Sequence, residues 1–186
     1  MTKRITISTL DAMKASGDKF VMITAYDATF ARLASEAGAE TILVGDSLGM
    51  VLQGHETTIP VSLDAMAYHT ECVARARPHS LIVADLPFMS FSNSDDTLHA
   101  STRLMQAGAQ MVKLEGGTWL SDSIHRLVER GVPVCAHLGL TPQSVNVFGG
   151  YRVQGRTPKE AKSILADAVE IPVSYTHLRA HETSDY

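Results

Sequence analysis

Short apolar runs rich in β-branched residues alternate along the chain with stretches of helical periodicity. These runs lie at Phe20–Ala25, Thr41–Val44, Leu81–Ala84, Gln110–Leu114 and Val132–Ala136. Each run is apolar nearly throughout, as expected for parallel strands that are covered on both faces. The alternation therefore predicts at least five βα units around a parallel sheet.

Helical segments fill the spaces between these runs, and their ends carry typical capping residues, such as Ser62 before one helix and Gly108 after another. The helices are predicted at Ala28–Ala37, Ser62–Arg75, Ser94–Ala107, Leu120–Arg130 and Lys159–Glu170. Two connections are long, Leu48–Val61 and Gly139–Thr157. The glycines of the second match no phosphate-binding pattern, which favours a flexible loop.

The composition narrows the class of protein and of partner. A chain of 186 residues with 45% hydrophobic residues can bury the core of one domain. Its formal net charge of −4 argues against nucleic-acid binding, so small molecules are the expected partners. We see no apolar run of the length of a signal peptide or a membrane span, and the two cysteines lack CxxC spacing. A cytoplasmic location is the resulting expectation.

Polar side chains follow each predicted strand at the point where it ends. In chain order they are Asp27, Asp46, Asp85, Lys113, Glu115 and His137. In a barrel of parallel strands these positions gather at the carboxyl-terminal face, where such barrels hold their active sites. An open doubly wound sheet would place ligands at the same strand ends. Five strands do not distinguish the two folds.

Spacing along the strands places some of these side chains on the same side. Residues two apart share a face, so Lys113 lies beside Glu115, and Cys135 beside His137. A structural ion pair between Lys113 and Glu115 is one interpretation. Carboxylates that converge from separate strands repel one another unless a positive group lies among them. Oxygen ligands without a set of cysteines or histidines favour a hard ion, and Mg²⁺ suits a few carboxylates with room for water.

Several ordered strings in the chain resemble ketopantoate hydroxymethyltransferase. They are ITAYD at 23–27, VGDSLGMVLQGHETTIPV at 44–61, ADLPFMS at 84–90, MVKLEGG at 111–117 and VPVCAHLGLTPQSVNVFGGYRVQGR at 132–156. The resemblance covers residues 3 to 170. It implies an α/β fold of the (β/α)₈ TIM barrel family, of which about five βα units are present here.

The resemblance also implies roles for individual residues. The magnesium ligands that it implies are Asp46, Asp85 and Glu115, the last of them acting through water. The positions that it implies for keto-acid binding are Asp46, Ser47, Asp85 and Lys113. His137 corresponds to a pocket residue near the reacting groups, so Lys113 and His137 are the candidate catalytic residues.

The reaction implied by the resemblance is a one-carbon transfer. In that family a hydroxymethyl group passes from 5,10-methylenetetrahydrofolate to 3-methyl-2-oxobutanoate through an enolate stabilised by Mg²⁺, giving 2-dehydropantoate for pantothenate biosynthesis. The full-length family is expected to form homo-oligomers. Two alternatives stay open. One is another magnesium-dependent, enolate-forming barrel enzyme of the phosphoenolpyruvate mutase or isocitrate lyase type, and the other is an inactive ligand-binding fragment.

The resemblance ends near Val173, where the chain continues VSYTHLRAHETSDY. We interpret residues 1–172 as a partial TIM-barrel catalytic domain and residues 173–186 as a non-native tail. The enolising base of the family is a glutamate that follows the next strand, so we expect it beyond this point. A partial barrel has two open strand edges, and we therefore expect this chain to fold poorly and to lack transferase activity.

Overall fold

The structure is a computed structural model that describes residues 4–171. The predicted change to a non-native sequence at Val173 lies outside these residues. Within them, strands and helices alternate as the sequence predicts. None of the described helices is long and apolar enough to cross a membrane.

The elements follow one another in a regular βα sequence after a first helix. The strands are β1 (Met22–Thr24), β2 (Thr41–Val44), β3 (Leu81–Asp85), β4 (Met111–Glu115) and β5 (Val134–His137). The α-helices are α1 (Ile7–Ser16), α2 (Ala28–Glu36), α3 (Leu48–Val51), α4 (Leu63–Arg75), α5 (Ser94–Gln106), α6 (Ser121–Glu129), α7 (Val145–Phe148) and α8 (Pro158–Glu170). Short 3₁₀ helices at Thr118–Leu120 and Pro142–Ser144 precede α6 and α7.

The strands are parallel and lie side by side in chain order, from β1 to β5. Each crossover therefore advances by one strand in the same direction, whereas a doubly wound sheet reverses its order at a switch point. The helices α2, α4, α5 and α6 contact one another in the same succession. This arrangement is that of consecutive units of a TIM barrel, and it decides between the two folds that the sequence pattern leaves open.

The structure corrects the ends of several predicted strands. The first is shorter than Phe20–Ala25, and β5 begins at Val134 because Pro133 has no N–H group to donate to the ladder. Strands β3 and β4 each run one residue further than predicted, to Asp85 and Glu115. The parallel ladder joins backbone groups, so it continues through these charged residues where an apolar pattern stops.

The two faces of the sheet bury different sets of side chains. The face that packs against the helices includes Ile42, Val44, Ile82, Ala84, Val112, Leu114 and Val134. The opposite face, which we call the inner face, includes the apolar residues Leu81, Val83, Met111 and Cys135. Because side chains alternate along a strand, the same inner rows continue to Asp85, Lys113, Glu115 and His137. The inner face is therefore apolar at one end and charged at the other.

Helix α1, which the sequence analysis did not predict, covers the apolar end of the inner face. Leu10 is fully buried there and belongs to the same cluster as Leu81 and Met111. The helix begins with a reciprocal cap, because the Thr6 hydroxyl accepts from the Thr9 backbone N–H at 3.3 Å and the Thr9 hydroxyl accepts from the Thr6 N–H at 3.2 Å. Helix α1 thus keeps water from the end of the sheet opposite the charged residues.

Capping explains two of the polar residues that precede helices. The Ser62 hydroxyl accepts from the Ala65 backbone N–H at 3.2 Å, which confirms the predicted cap of α4. One Asp27 carboxylate oxygen accepts from the backbone N–H groups of Thr29 at 2.7 Å and Phe30 at 3.0 Å. Asp27 therefore follows β1 as predicted, and its carboxylate satisfies the free N–H groups at the start of α2.

Helix α8 is attached to the loop after β4 by one carboxylate. Asp167 Oδ1 accepts from the Thr118 backbone N–H at 3.0 Å and from the Thr118 hydroxyl at 2.5 Å, and these hydrogen bonds lower the pKa of Asp167. Gly117 permits this approach, since a Cβ atom there would lie 2.6 Å from the Asp167 carboxyl group. The contact fixes α8 beside the carboxyl ends of β4 and β5.

Replacing Leu10 by alanine tests whether α1 stabilises the inner face. The truncation leaves a cavity among Leu81, Met111 and Cys135, so we expect the free energy of unfolding to fall by about 2 to 5 kcal/mol. Urea denaturation followed by circular dichroism measures the change. Ser8→Ala, at an exposed position of the same helix, is the control and should shift stability by less than about 0.5 kcal/mol. Equal changes in the two variants would contradict this role of α1.

Candidate active site

Three carboxylates and a lysine come together at the charged end of the inner face. Asp46 follows β2, Asp85 ends β3, and Lys113 and Glu115 lie on β4. The three acidic residues are only 3 to 5% exposed. The structure therefore assembles, from three different strands, the residues that the strand-end pattern selects.

Lys113 forms an ion pair with Asp85 and not with Glu115. Its Nζ donates to Asp85 Oδ1 at 2.6 Å, and the two residues lie opposite each other in the register of β3 and β4. The interpretation of a Lys113–Glu115 pair is wrong because a residue two positions along a strand is roughly 7 Å away, whereas the register partner on the neighbouring strand is closer. Burial alone lowers the pKa of Lys113, but the charge and hydrogen bond of Asp85 outweigh burial and raise it. Lys113 is therefore a fixed positive charge.

Asp46 approaches Asp85 through a tight turn after β2. The Asp46 backbone N–H donates to Asp85 Oδ2 at 3.2 Å. Gly45 makes this turn possible, because a Cβ atom there would lie 2.8 Å from Ser47 Oγ and 3.4 Å from Asp85 Oδ2. Burial, followed by the negative charge of Asp85, raises the pKa of Asp46. The turn thus places two buried carboxylates side by side.

Gln143, which the sequence analysis did not select, connects Asp46 to Glu115. Its Nε2 donates to Asp46 Oδ2 at 2.8 Å and to the Leu86 carbonyl at 2.9 Å, while its backbone N–H donates to Glu115 Oε2 at 3.0 Å. The segment 139–157, expected to be a flexible loop, instead contains a 3₁₀ helix and α7, which hold Gln143 over the strand ends. Pro142 at the first position of that turn is the sequence signal that could have indicated it.

Ser47 and His137 lie beside this group of residues. The Ser47 and Tyr26 hydroxyl groups are hydrogen-bonded at 2.9 Å, and burial raises the pKa of Tyr26. His137 Nδ1 lies 3.4 Å from Glu115 Oε1 without the geometry of a hydrogen bond, and 27% of the His137 side chain is exposed. All six residues that the resemblance selects are therefore at the same end of the sheet.

The charges of the site suit a divalent cation. When all three carboxylates are ionised, they and the one ammonium group carry a net charge of −2, and the donors are oxygens, which a hard ion such as Mg²⁺ prefers. Of the five buried side-chain polar atoms without a hydrogen-bond partner among the described residues, two lie at this site, His137 Nδ1 and Gln143 Oε1, and these are available to a bound group. The charge and the donor types of the site therefore suit a magnesium ion.

The arrangement of the carboxylates differs from the expected three-ligand set. Within residues 4–171, no three His, Cys, Asp or Glu side chains form a group that could hold a metal ion. One oxygen of each carboxylate already accepts a hydrogen bond. The donors are Lys113 Nζ to Asp85, Gln143 Nε2 to Asp46, and the Gln143 backbone N–H to Glu115. A cation here would need water or substrate oxygens to complete its coordination, as Mg²⁺ commonly does.

A cavity of about 310 Å³ opens next to His137. It lies between the carboxyl ends of β4 and β5 and helix α8, and its lining includes Gly116, His137, Thr141, Gln154 and Asp167. The cavity gives a small molecule access to the side of the site that carries His137.

The family model described as ketopantoate hydroxymethyltransferase matches residues 4–173. The chain belongs to the ketopantoate hydroxymethyltransferase family. This confirms the resemblance that the ordered strings indicate, and every residue of the site described above lies within the matched range.

Curated relatives of the family share more than half of their aligned residues with this chain. The 3-methyl-2-oxobutanoate hydroxymethyltransferase 2 of Pseudomonas aeruginosa is 59% identical over 167 residues, which are 90% of this chain and 63% of that protein. The 3-methyl-2-oxobutanoate hydroxymethyltransferase of Colwellia psychrerythraea is 59% identical over 165 residues, which are 89% of this chain and 62% of that protein. This chain thus spans less than two thirds of the length of these relatives.

Solved structures with low sequence identity share the fold. A 2,3-dimethylmalate lyase, described as a member of the PEP mutase/isocitrate lyase superfamily, aligns with a TM-score of 0.63 at 16% identity, over 89% of this chain and 60% of that one. A phosphonopyruvate hydrolase in complex with oxalate and Mg²⁺ aligns with a TM-score of 0.62 at 18% identity, over 91% of this chain and 69% of that one. These likenesses confirm the TIM-barrel type of fold.

Replacing Lys113 by methionine tests the buried ion pair. The substitution leaves Asp85 buried without its positive partner, so we expect the free energy of unfolding at pH 7 to fall by about 3 kcal/mol. Urea denaturation measures the loss. Adding Asp85→Asn to the same chain removes the unpaired charge and should restore a large part of the stability. A single variant as stable as the parent chain would contradict the assigned pair.

Proposed function

We propose that this chain supplies the metal and keto-acid side of a hydroxymethyltransferase site. The reaction would transfer a hydroxymethyl group from 5,10-methylenetetrahydrofolate to 3-methyl-2-oxobutanoate and give 2-dehydropantoate for pantothenate biosynthesis. Membership of the family and the printed names of the relatives support this reaction. The observation that carries the proposal is the buried group of Asp46, Asp85 and Lys113 at the strand ends.

Asp46 and Asp85 would hold Mg²⁺ directly, and Glu115 would act through a water molecule. The net charge of −2 and the oxygen donors support this assignment, as does the Mg²⁺ and oxalate complex of the phosphonopyruvate hydrolase of like fold. When bound, Mg²⁺ would polarise the ketone carbonyl of the keto acid and so acidify the adjacent C–H bond.

Lys113 contributes a positive charge that needs no rearrangement during the reaction. Lys113 Nζ donates a hydrogen bond to Asp85 at 2.6 Å, and the raised pKa of Lys113 keeps its ammonium group protonated across the physiological range. In the proposed site Lys113 attracts the substrate carboxylate and stabilises negative charge that develops on the substrate oxygen. Ser47, oriented by its hydrogen bond with Tyr26, would add a hydroxyl group to keto-acid binding.

His137 would line the pocket near the reacting groups. Its side chain is partly exposed to the cavity, and its Nδ1 is buried without a hydrogen-bond partner among the described residues. These two features support a role as a pocket residue close to the reacting groups. In the proposed reaction the His137 imidazole can form a hydrogen bond with either substrate, as donor or as acceptor.

The base that removes the C3 proton would come from another part of the barrel. The family resemblance assigns this role to a glutamate after the next strand, so we place it beyond residue 172.

The interpretation of residues 173–186 as a non-native tail, the cytoplasmic location and a homo-oligomeric full-length protein stay predictions. The family match from 4 to 173 favours hydroxymethyl transfer over the other enolate-forming reactions of this fold.

Calorimetric titration of Mg²⁺ and 3-methyl-2-oxobutanoate into the chain tests the proposed site. We expect binding to the parent chain and an affinity at least tenfold weaker for Asp85→Asn, because that variant keeps the shape but loses the charge. Asp27→Asn is the matched control, since Asn caps a helix as well as Asp does and the site is unchanged. Equal affinity in the parent chain and Asp85→Asn would contradict the proposal.

A chimera tests the position of the base. Residues 1–171 joined to the remaining part of the Pseudomonas aeruginosa relative should exchange the C3 proton of 3-methyl-2-oxobutanoate in deuterated water about 100-fold faster than the 186-residue chain, because a positioned base then becomes available. Proton NMR measures the exchange. Asp46→Asn in the chimera should abolish the gain. The same rate in the chimera and the 186-residue chain would place the base elsewhere.

A further inference from the structure

Gln143 lies after β5 in the chain and forms hydrogen bonds at the ends of three other strands. It follows β5, yet its side chain reaches Asp46 after β2 and the Leu86 carbonyl after β3, and its backbone N–H reaches Glu115 on β4. Gln143 is itself only 7% exposed. A neutral residue with three buried hydrogen bonds to this site is more than a packing residue, because each bond fixes a group on a different strand.

The contacts determine which end of the amide faces the carboxylate. Nε2 lies within hydrogen-bond distance of two acceptors, the Asp46 carboxylate and the Leu86 carbonyl. Reversing the amide would bring an oxygen against both acceptors, which is unfavourable. A glutamate of the same shape would place a further negative charge beside Asp46. The site therefore requires a donor of this length that carries no charge.

We propose that Gln143 is a positioning residue that orients Asp46 and Glu115 for the divalent cation and its water. The proposal rests on the magnesium and keto-acid site described above. A hydrogen bond to Asp46 Oδ2 fixes the rotation of that carboxylate, and Oδ1 is then the oxygen that would be left to hold the cation. The backbone N–H does the same for Glu115. Gln143 thus acts on the metal through its ligands and touches no reacting atom.

The turn that carries Gln143 is held by its own hydrogen bonds. The Ser144 backbone N–H donates to the Thr141 carbonyl at 2.9 Å, and the Thr141 hydroxyl donates to the Ser144 hydroxyl at 2.9 Å. Pro142 restricts the backbone between them. The position of the amide is therefore set before any ligand binds. Ligand binding then loses no conformational entropy in ordering this turn.

The first test measures Mg²⁺ affinity in Gln143→Met, a substitution of similar length without hydrogen-bond donors on the side chain. We expect Mg²⁺ titrated alone, by calorimetry, to bind the variant 10- to 100-fold more weakly than the parent chain. Gln106→Met, at an exposed position at the end of α5, is the matched control and should bind as the parent does. Parent-like affinity in a folded Gln143→Met variant would overturn the proposal.

The second test needs no metal and no altered site. In the metal-free parent chain, NMR should show that the side-chain amide protons of Gln143 exchange with solvent at least tenfold more slowly than those of Gln106. Rates equal to those of Gln106 would overturn the proposal even where Gln143→Met fails to fold. Slow exchange without Mg²⁺ binding to the parent chain would instead contradict the proposed metal site, so the two failures are distinguishable.

Discussion

The register of the parallel strands is the constraint on which the site depends. Asp85 lies opposite Lys113, and Glu115 opposite His137, because β3, β4 and β5 pair at these positions. A slip of one residue would turn these side chains towards the apolar helix layer and bring residues such as Ala84 and Leu114 to the inner face. The apolar contacts on both faces resist such a slip. The same packing that stabilises the sheet therefore fixes the geometry of the charges.

Burying several charges at one point is unfavourable, and the fold offsets the cost by pairing most of their oxygens. Lys113 compensates Asp85, the Asp46 backbone N–H adds a second contact to Asp85, and Gln143 serves the other two carboxylates. Burial raises the pKa of Asp46, and the negative charges of Asp85 and Glu115 raise it further. A divalent cation would offset these charges, so metal binding and the stability of this end of the sheet are expected to be linked.

Sequence alone predicted the parts of the fold that depend on local pattern. The runs of apolar residues located the strands, Ser62 located the start of α4, and the spacing of Lys113 and Glu115 placed both on the inner face. It did not predict contacts between distant segments. The partner of Lys113 is set by strand register, and the role of Gln143 is set by a loop that returns over the sheet, so neither leaves a periodic signal. The sequence does not distinguish the role of Asp27, because a helix cap and a ligand at a strand end both use a carboxylate in the same place.

The division of the site along the chain follows from the barrel itself. Each strand contributes one or two side chains to the carboxyl-terminal face, so a reaction that needs a metal, a fixed cation and a base draws them from successive strands. In the proposed site the metal and cation side would come from β2, β3 and β4, and β5 with its following turn would supply His137 and the residue that orients the carboxylates. The matched segment is therefore continuous in sequence and covers one chemical half of the proposed reaction, the binding and polarisation of the keto acid. In the proposed reaction, proton removal would belong to the strand that follows, so ligand binding and turnover would be separable by studying the two parts of the barrel.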